Sequence, residues 1–208
     1  MPKHPLLERL LAEQRITAPQ RDAVLAYMSA NQCRVEDALI ETGTLEEDLL
    51  LKWLAALYKT RFVSTEKLAK AEIERGLLTM VPRALAERSV VFPVMFDASD
   101  RSLALVVIDP TQVEVQRDVQ VAANVKQVKA YVARPAAIRA AINKHYGGDI
   151  HAFGKIRTLQ NRDLANLFDS YERNVIDGER LSVPNTLSRA SDAFDGPPTS
   201  SMPSMPSA

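Results

Sequence analysis

The chain has one cysteine, 3 histidines and 7 glycines in 208 residues, and each shortage removes a class of chemistry. The lone Cys33 cannot form an internal disulfide, which fits a reducing compartment better than a secreted scaffold. With no nucleophile motif around it, it reads as a small apolar filler. Phosphate-cradling loops need closely spaced glycines, and there is no Gly-x-x-x-x-Gly-Lys-Ser/Thr. Gly154-Lys155 lacks both the first glycine and the hydroxyl. His4, His145 and His151 are scattered and none lies beside Cys33, so no metal site is expected. No Gly-x-Ser-x-Gly elbow occurs. Glu46, Glu47 and Asp48 stand at a helix start, where the helix dipole alone favours acids. No catalytic residue emerges, and the chain reads as non-enzymatic.

Charge of one sign is also lacking. Lys plus Arg and Asp plus Glu both total 26, so no net field marks a nucleic-acid binder. Lys3, Lys126, Lys129 and Lys144 are spread out and have no interleaved exposed aromatics. No segment approaches the roughly 20 apolar residues that span a bilayer, and the N-terminus lacks a signal-peptide run. These absences predict a cytoplasmic protein without direct membrane insertion.

What is present is a 46% hydrophobic composition patterned for an α+β fold. Leu6, Leu7, Leu10 and Leu11 recur at helical spacing, and Thr17-Ala18-Pro19-Gln20 has the form of a capping box. Gly43 offers a left-handed stop for the helix carrying Val35, Ala38 and Leu39, and Thr44 to Glu47 has the form of a second capping box. Leu50, Trp53, Leu54 and Leu57 form the next stripe. The two halves repeat: Leu6, Leu10, Leu11, Ile16, Leu25 and Met28 match Val35, Leu39, Ile40, Leu45, Leu54 and Leu57 at one constant offset. The polar residues hardly match, so two hairpins of similar length with a shared period remain the alternative. Residues 1–59 are thus expected to be a helical subdomain of two helix-turn-helix repeats.

Residues 60–150 predict a small mixed sheet covered by helices. Arg61-Phe62-Val63 reads as extended, Glu66 to Leu77 as one polar helix and Pro82 to Arg88 as a proline-led helix. Val90 to Phe96 and Leu103 to Ile108 read as a strand pair. Asp109-Pro110 then opens a helix through Asp118, Val128 to Val132 is a further strand, and Pro135 to Tyr146 is a helix closed by Gly147-Gly148. Residues 151–208 are expected to be a tail, with one amphipathic helix over about 161–177 and a disordered Ser/Pro-rich end. Leu164, Leu167, Phe168, Tyr171 and Val175 fall on one face of that helix, to pack on the domain or to dock on a partner.

The order of helices, Arg61-Phe62-Val63, proline-led helix, strand pair ending in Ile108-Asp109-Pro110, strand to Val132 and helix closing in Tyr146-Gly147 resembles the N-terminal domain of type II secretion and type IV pilus assembly ATPases. The resemblance covers residues 5 to 148. It implies a bacterial docking or regulatory module with protein partners in such a machine, standing alone without the ATPase motor. Its place would be cytoplasmic, or peripheral to the inner membrane through a partner. Within that family the MshEN domains bind cyclic-di-GMP through two tandem leucine- and glycine-rich motifs, and the repeat falls on them. The resemblance then implies a ligand site of Arg34, Leu39, Gly43, Leu45, Leu50 and Leu54, with no other cofactor. The chain departs from the pattern where Glu36 stands for a glycine near the expected phosphate. In the first copy Pro5 takes the Arg position, Leu7 and Gln14 the glycines, and Arg21 a clamping leucine. The matching leucines are also the positions a bare helical core would keep.

Overall fold

The computed structural model describes residues 4–156. The tail helix expected over about 161–177, with Leu164, Leu167, Phe168, Tyr171 and Val175, lies outside the described residues.

The chain opens with two helical hairpins, α1 (Pro5–Ala12) with α2 (Ala18–Asn31) and α3 (Val35–Glu41) with α4 (Glu47–Leu57). The Thr17 capping box forms as expected: its hydroxyl accepts from Gln20 N at 3.4 Å and Gln20 Oε1 accepts from Thr17 N at 2.8 Å. Gly43 takes φ 69°, the left-handed conformation that ends α3. Thr44, however, does not cap α4, which begins only at Glu47. The Thr44 hydroxyl lies 2.8 Å from that of Thr42, and the N-cap position of α4 falls to Glu46, without a side-chain cap. Leu7, Leu10, Leu39, Leu50 and Leu54 pack into one apolar cluster.

Two short helices follow where one was expected: α5 (Thr65–Lys70) and α6 (Arg75–Met80). The cause is burial. Leu68 and Leu77 both enter the core, yet nine positions is about two and a half helical turns, which would put them on opposite faces of a continuous helix. The extended backbone at Ala71 (φ −63°, ψ 130°) resolves the conflict. After α7 (Arg83–Ser89) come strands β1 (Phe92–Asp97) and β2 (Ser102–Val107), helix α8 (Val113–Ala122), strand β3 (Gln127–Val132) and helix α9 (Pro135–His145). Helix α8 starts later than Asp109-Pro110 suggested, because Asp109 Oδ1 accepts from Thr111 N at 2.8 Å and from its hydroxyl at 2.7 Å, closing a turn first.

The sheet order is β1-β2-β3, antiparallel between β1 and β2 and parallel between β2 and β3, so the α+β class and the mixed sheet are as expected. All six residues of the central strand β2 are buried, which fits its near-continuous apolar run. The segment at Phe62 lies parallel along β3, with Val63 N donating to Val132 O at 2.9 Å. A second apolar cluster gathers on the sheet, α7, α8 and α9, while Val132 at the end of β3 packs into the helical cluster instead. A 3-10 turn (Ala152–Lys155) carries the core past residue 150, since Ala152 and Ile156 are both buried.

Tyr146, at the end of α9, donates from its hydroxyl to Val81 O at 2.7 Å, holding α9 against the α6–α7 turn. Burial pushes its pKa from 10.0 up to about 12. A raised acid pKa means that the folded state holds its proton more tightly. Its stabilisation is therefore complete below pH 10.0 and is lost as pH rises toward about 12. Tyr146→Phe should cost about 1 kcal/mol at neutral pH and flatten the alkaline fall in melting temperature. An unchanged alkaline limb in the variant would refute this assignment.

Candidate functional site

The helix ends converge on one cleft of about 630 Å³. Its walls come from the start of α1 (His4, Leu6), the α2–α3 turn and first turn of α3 (Arg34, Glu36), the end of α4 (Tyr58) and the loop after β2 (Asp109). None of α1, α3 or α8 has a side-chain cap at its N-terminus. Arg34 is exposed, whereas Glu36 is half-buried on the same turn. Glu36 Oε2 and His4 Nδ1 are buried without a hydrogen-bond partner among the described residues. Burial pushes the Glu36 carboxyl above its ordinary range, against the pull of Arg34 and with a further push from Asp37 and Asp109. Burial also raises the Tyr58 hydroxyl, helped by the negative charges of Asp109 and Glu36. His4 is held below the usual histidine value by burial and by Arg34. The cleft thus sets the carboxylates of Glu36 and Asp109 beside the guanidinium groups of Arg9 and Arg34.

Of the residues the resemblance implied for a ligand, only Arg34 lines this cleft. Leu39, Leu50 and Leu54 lie in the helical core, at most 2% exposed. Leu45 is half-buried against that core, and Gly43 lies at the turn after α3.

Beside the cleft, α3 carries a second arrangement that the sequence analysis missed. Arg134, fully buried as the N-cap of α9, donates from Nε to Asp37 Oδ1 at 2.9 Å and from Nη2 to Glu41 Oε1 at 3.0 Å. Asp37 Oδ1 also accepts from Ala136 N at 3.2 Å, capping α9 from another element. Arg139 Nη1 lies 3.9 Å from Asp37 Oδ2, and Arg134 Nη1 lies 4.0 Å from Glu47 Oε2. Glu47, read from sequence as helix-stabilising, accepts from Thr65 N at 2.6 Å and so caps α5. A signal for this knot does exist in the sequence. Asp37 and Glu41 stand at i and i+4 on one helix face, where like charges repel unless they share a cation.

Among the described residues no group of His, Cys, Asp and Glu could hold a metal ion, and no helix is long and apolar enough to cross a membrane. Burial raises the Cys33 thiol, with Glu41 and Asp37 adding to the effect, so the thiolate needed for nucleophilic attack is disfavoured.

Residues 58–152 match the MshEN domain family. The chain is 27% identical over 139 residues to the type IV pilus assembly ATPase PilB of Myxococcus xanthus (strain DK1622); the match takes in 67% of this chain and 24% of PilB. It therefore spans about a quarter of that curated relative. Among solved structures, MshE with cdg superposes over 69% of this chain and 100% of its own, with a TM-score of 0.50 at 19% identity. The N-terminal domain of XpsE covers 69% and 98% with a TM-score of 0.46 at 16% identity. The likeness to MshE is one of fold, and the family match begins where α4 ends.

Proposed function

We propose that this chain is a non-catalytic docking module for a type IV pilus or type II secretion machine. The observation that carries the reading is the match of residues 58–152 to the MshEN domain family, on a fold that offers a cleft. The likeness to a pilus assembly ATPase over a quarter of that protein's length supports the choice of machine. The surfaces we assign to docking are the helix-end cleft and, from sequence pattern, the apolar stripe of Leu164, Leu167, Phe168, Tyr171 and Val175.

Removing residues 157–208 is expected to leave the melting temperature within a few degrees and to weaken co-purification with the platform or motor component. The cut must spare Ile156, which is buried. A large fall in melting temperature would place the stripe in the core. Undiminished recovery of the component would remove the stripe from the docking surface. Absence of any platform or motor component with the full chain would sink the function itself.

A second reading, a cyclic-di-GMP receptor, is favoured by Arg34 at the cleft rim and by the fold shared with MshE. Glu36 and Asp109 speak against it, because two carboxylates in the cleft repel a phosphodiester. Calorimetry separates the two: no heat at ~100 μM ligand, a binding free energy weaker than about −5.5 kcal/mol, ends the receptor reading.

A further inference from the structure

Two polar atoms of the cleft are left without a partner, and their chemistry points to what it receives. The carboxylate oxygen Glu36 Oε2 and the ring nitrogen His4 Nδ1 are buried with no partner among the described residues, and the Asp109 carboxylate, whose Oδ1 accepts from Thr111, joins them on the lining. Leaving a buried acceptor unmatched is costly, so such atoms mark where a donor is missing. The charges point the same way. Arg9 is already paired with Glu13 at 3.3 Å, which leaves Arg34 as one cation against the two carboxylates of Glu36 and Asp109. Arg34 stands two positions before Glu36, pulls on its carboxyl through charge, and remains exposed. Leu6, Met28 and Leu57 supply apolar wall to the same cleft.

We propose that the cleft receives an arginine side chain of a protein partner, its guanidinium on Glu36 and Asp109, its methylenes along Leu6, Met28 and Leu57, and an acidic neighbour of that arginine on Arg34. A guanidinium presents its N–H donors as a planar fork and stays charged at any working pH, so two carboxylates can each take a donor. Its stem is apolar and long enough to lie against the wall while the head reaches the acceptors. The acidic neighbour follows from Arg34, whose exposed fork prefers a carboxylate in the same way. This proposal rests on the docking function above and names the chemistry by which docking is read.

The test is an NMR titration of the full-length labelled chain with N-acetyl-arginine amide. N-acetyl-citrulline amide serves as the neutral isostere, and guanosine monophosphate serves as a nucleotide control. The arginine probe should give saturable millimolar shifts confined to residues around Glu36, Tyr58 and Asp109, and citrulline should give none. Glu36→Gln removes a charge that burial already disfavours, so the variant should fold. It should weaken the arginine probe by roughly tenfold or more, as losing one charge-assisted hydrogen bond requires. Asp109→Asn gives an independent check on the second carboxylate. Equal binding of citrulline, or unaltered binding by Glu36→Gln, would overturn the proposal. Tighter binding of guanosine monophosphate would reassign the cleft to a nucleotide. Probe-induced shifts spreading into residues 157–208 would mean that the chain's own tail fills it, which also overturns the assignment to a partner. Because the probe needs no machine component, failure here leaves the co-purification experiment informative, and the reverse holds as well.

Discussion

Arg134→Ala is expected to destabilise the domain by about 3–5 kcal/mol, because it leaves buried carboxylates without their cation. Asp37 is 3% exposed and Arg134 fully buried, so water cannot replace the lost partner. Arg139, 3.9 Å from the other oxygen of Asp37, softens the loss without removing it. Against a total stability of about 5–15 kcal/mol, such a change brings the chain close to unfolding. At this size it should lower the melting temperature by roughly 10 °C. A companion variant separates charge from packing. Arg134→Met alone should be nearly as damaging as alanine, whereas Arg134→Met combined with Asp37→Leu and Glu41→Met should regain part of the loss, since apolar replacement of a buried ion cluster is often neutral or better. A loss under about 1 kcal/mol for Arg134→Ala would show that the carboxylates reach water and would sink the account.

Phe92→Ala carries a comparable expected effect by a different mechanism, about 3–5 kcal/mol from a cavity. Phe92 is fully buried on β1 opposite Val106. Its ring lies 5.3 Å from that of His145 and 6.1 Å from that of Tyr146, the latter nearly perpendicular at 88°. The residue thus joins the sheet to the end of α9, and its removal strips both rings of a partner. Phe92→Leu keeps much of the volume and should cost clearly less. Urea unfolding measures both, and identical midpoints for the alanine and leucine variants would refute a packing origin.

Local signals in the sequence translated well into structure. The Thr17 capping box, the Gly43 stop, the proline-led start of α9 and the alternation from helices to a mixed sheet all rest on interactions within a few positions of each other. Where a distant contact took over, the reading went astray. The break between α5 and α6 depends on which core receives Leu68 and Leu77. Glu47 turns to Thr65, 18 positions away, rather than to its own helix. The cleft shows the same division. Arg34 and Glu36 could be singled out along the chain, but Asp109 joins them only through the sheet, and nothing local brings His4 and Tyr58 to the same hollow. Leucines that a ligand clamp and a core would equally require cannot be told apart by spacing, and Leu39, Leu50 and Leu54 are placed in the core.

The bond between Asp37 and Arg134 spans 97 positions of chain, which gives this domain an order in time. A ribosome releases the two helical hairpins first, with Asp37 and Glu41 already made and their cation not yet translated. At about 5–20 residues per second, that interval lasts roughly 5–20 seconds. Throughout it the α3 carboxylates have to stay hydrated, so the face of α3 that meets α9 cannot dry. The face of α3 that meets α9 can therefore pack only once the end of β3 and the arginine that follows it have been made.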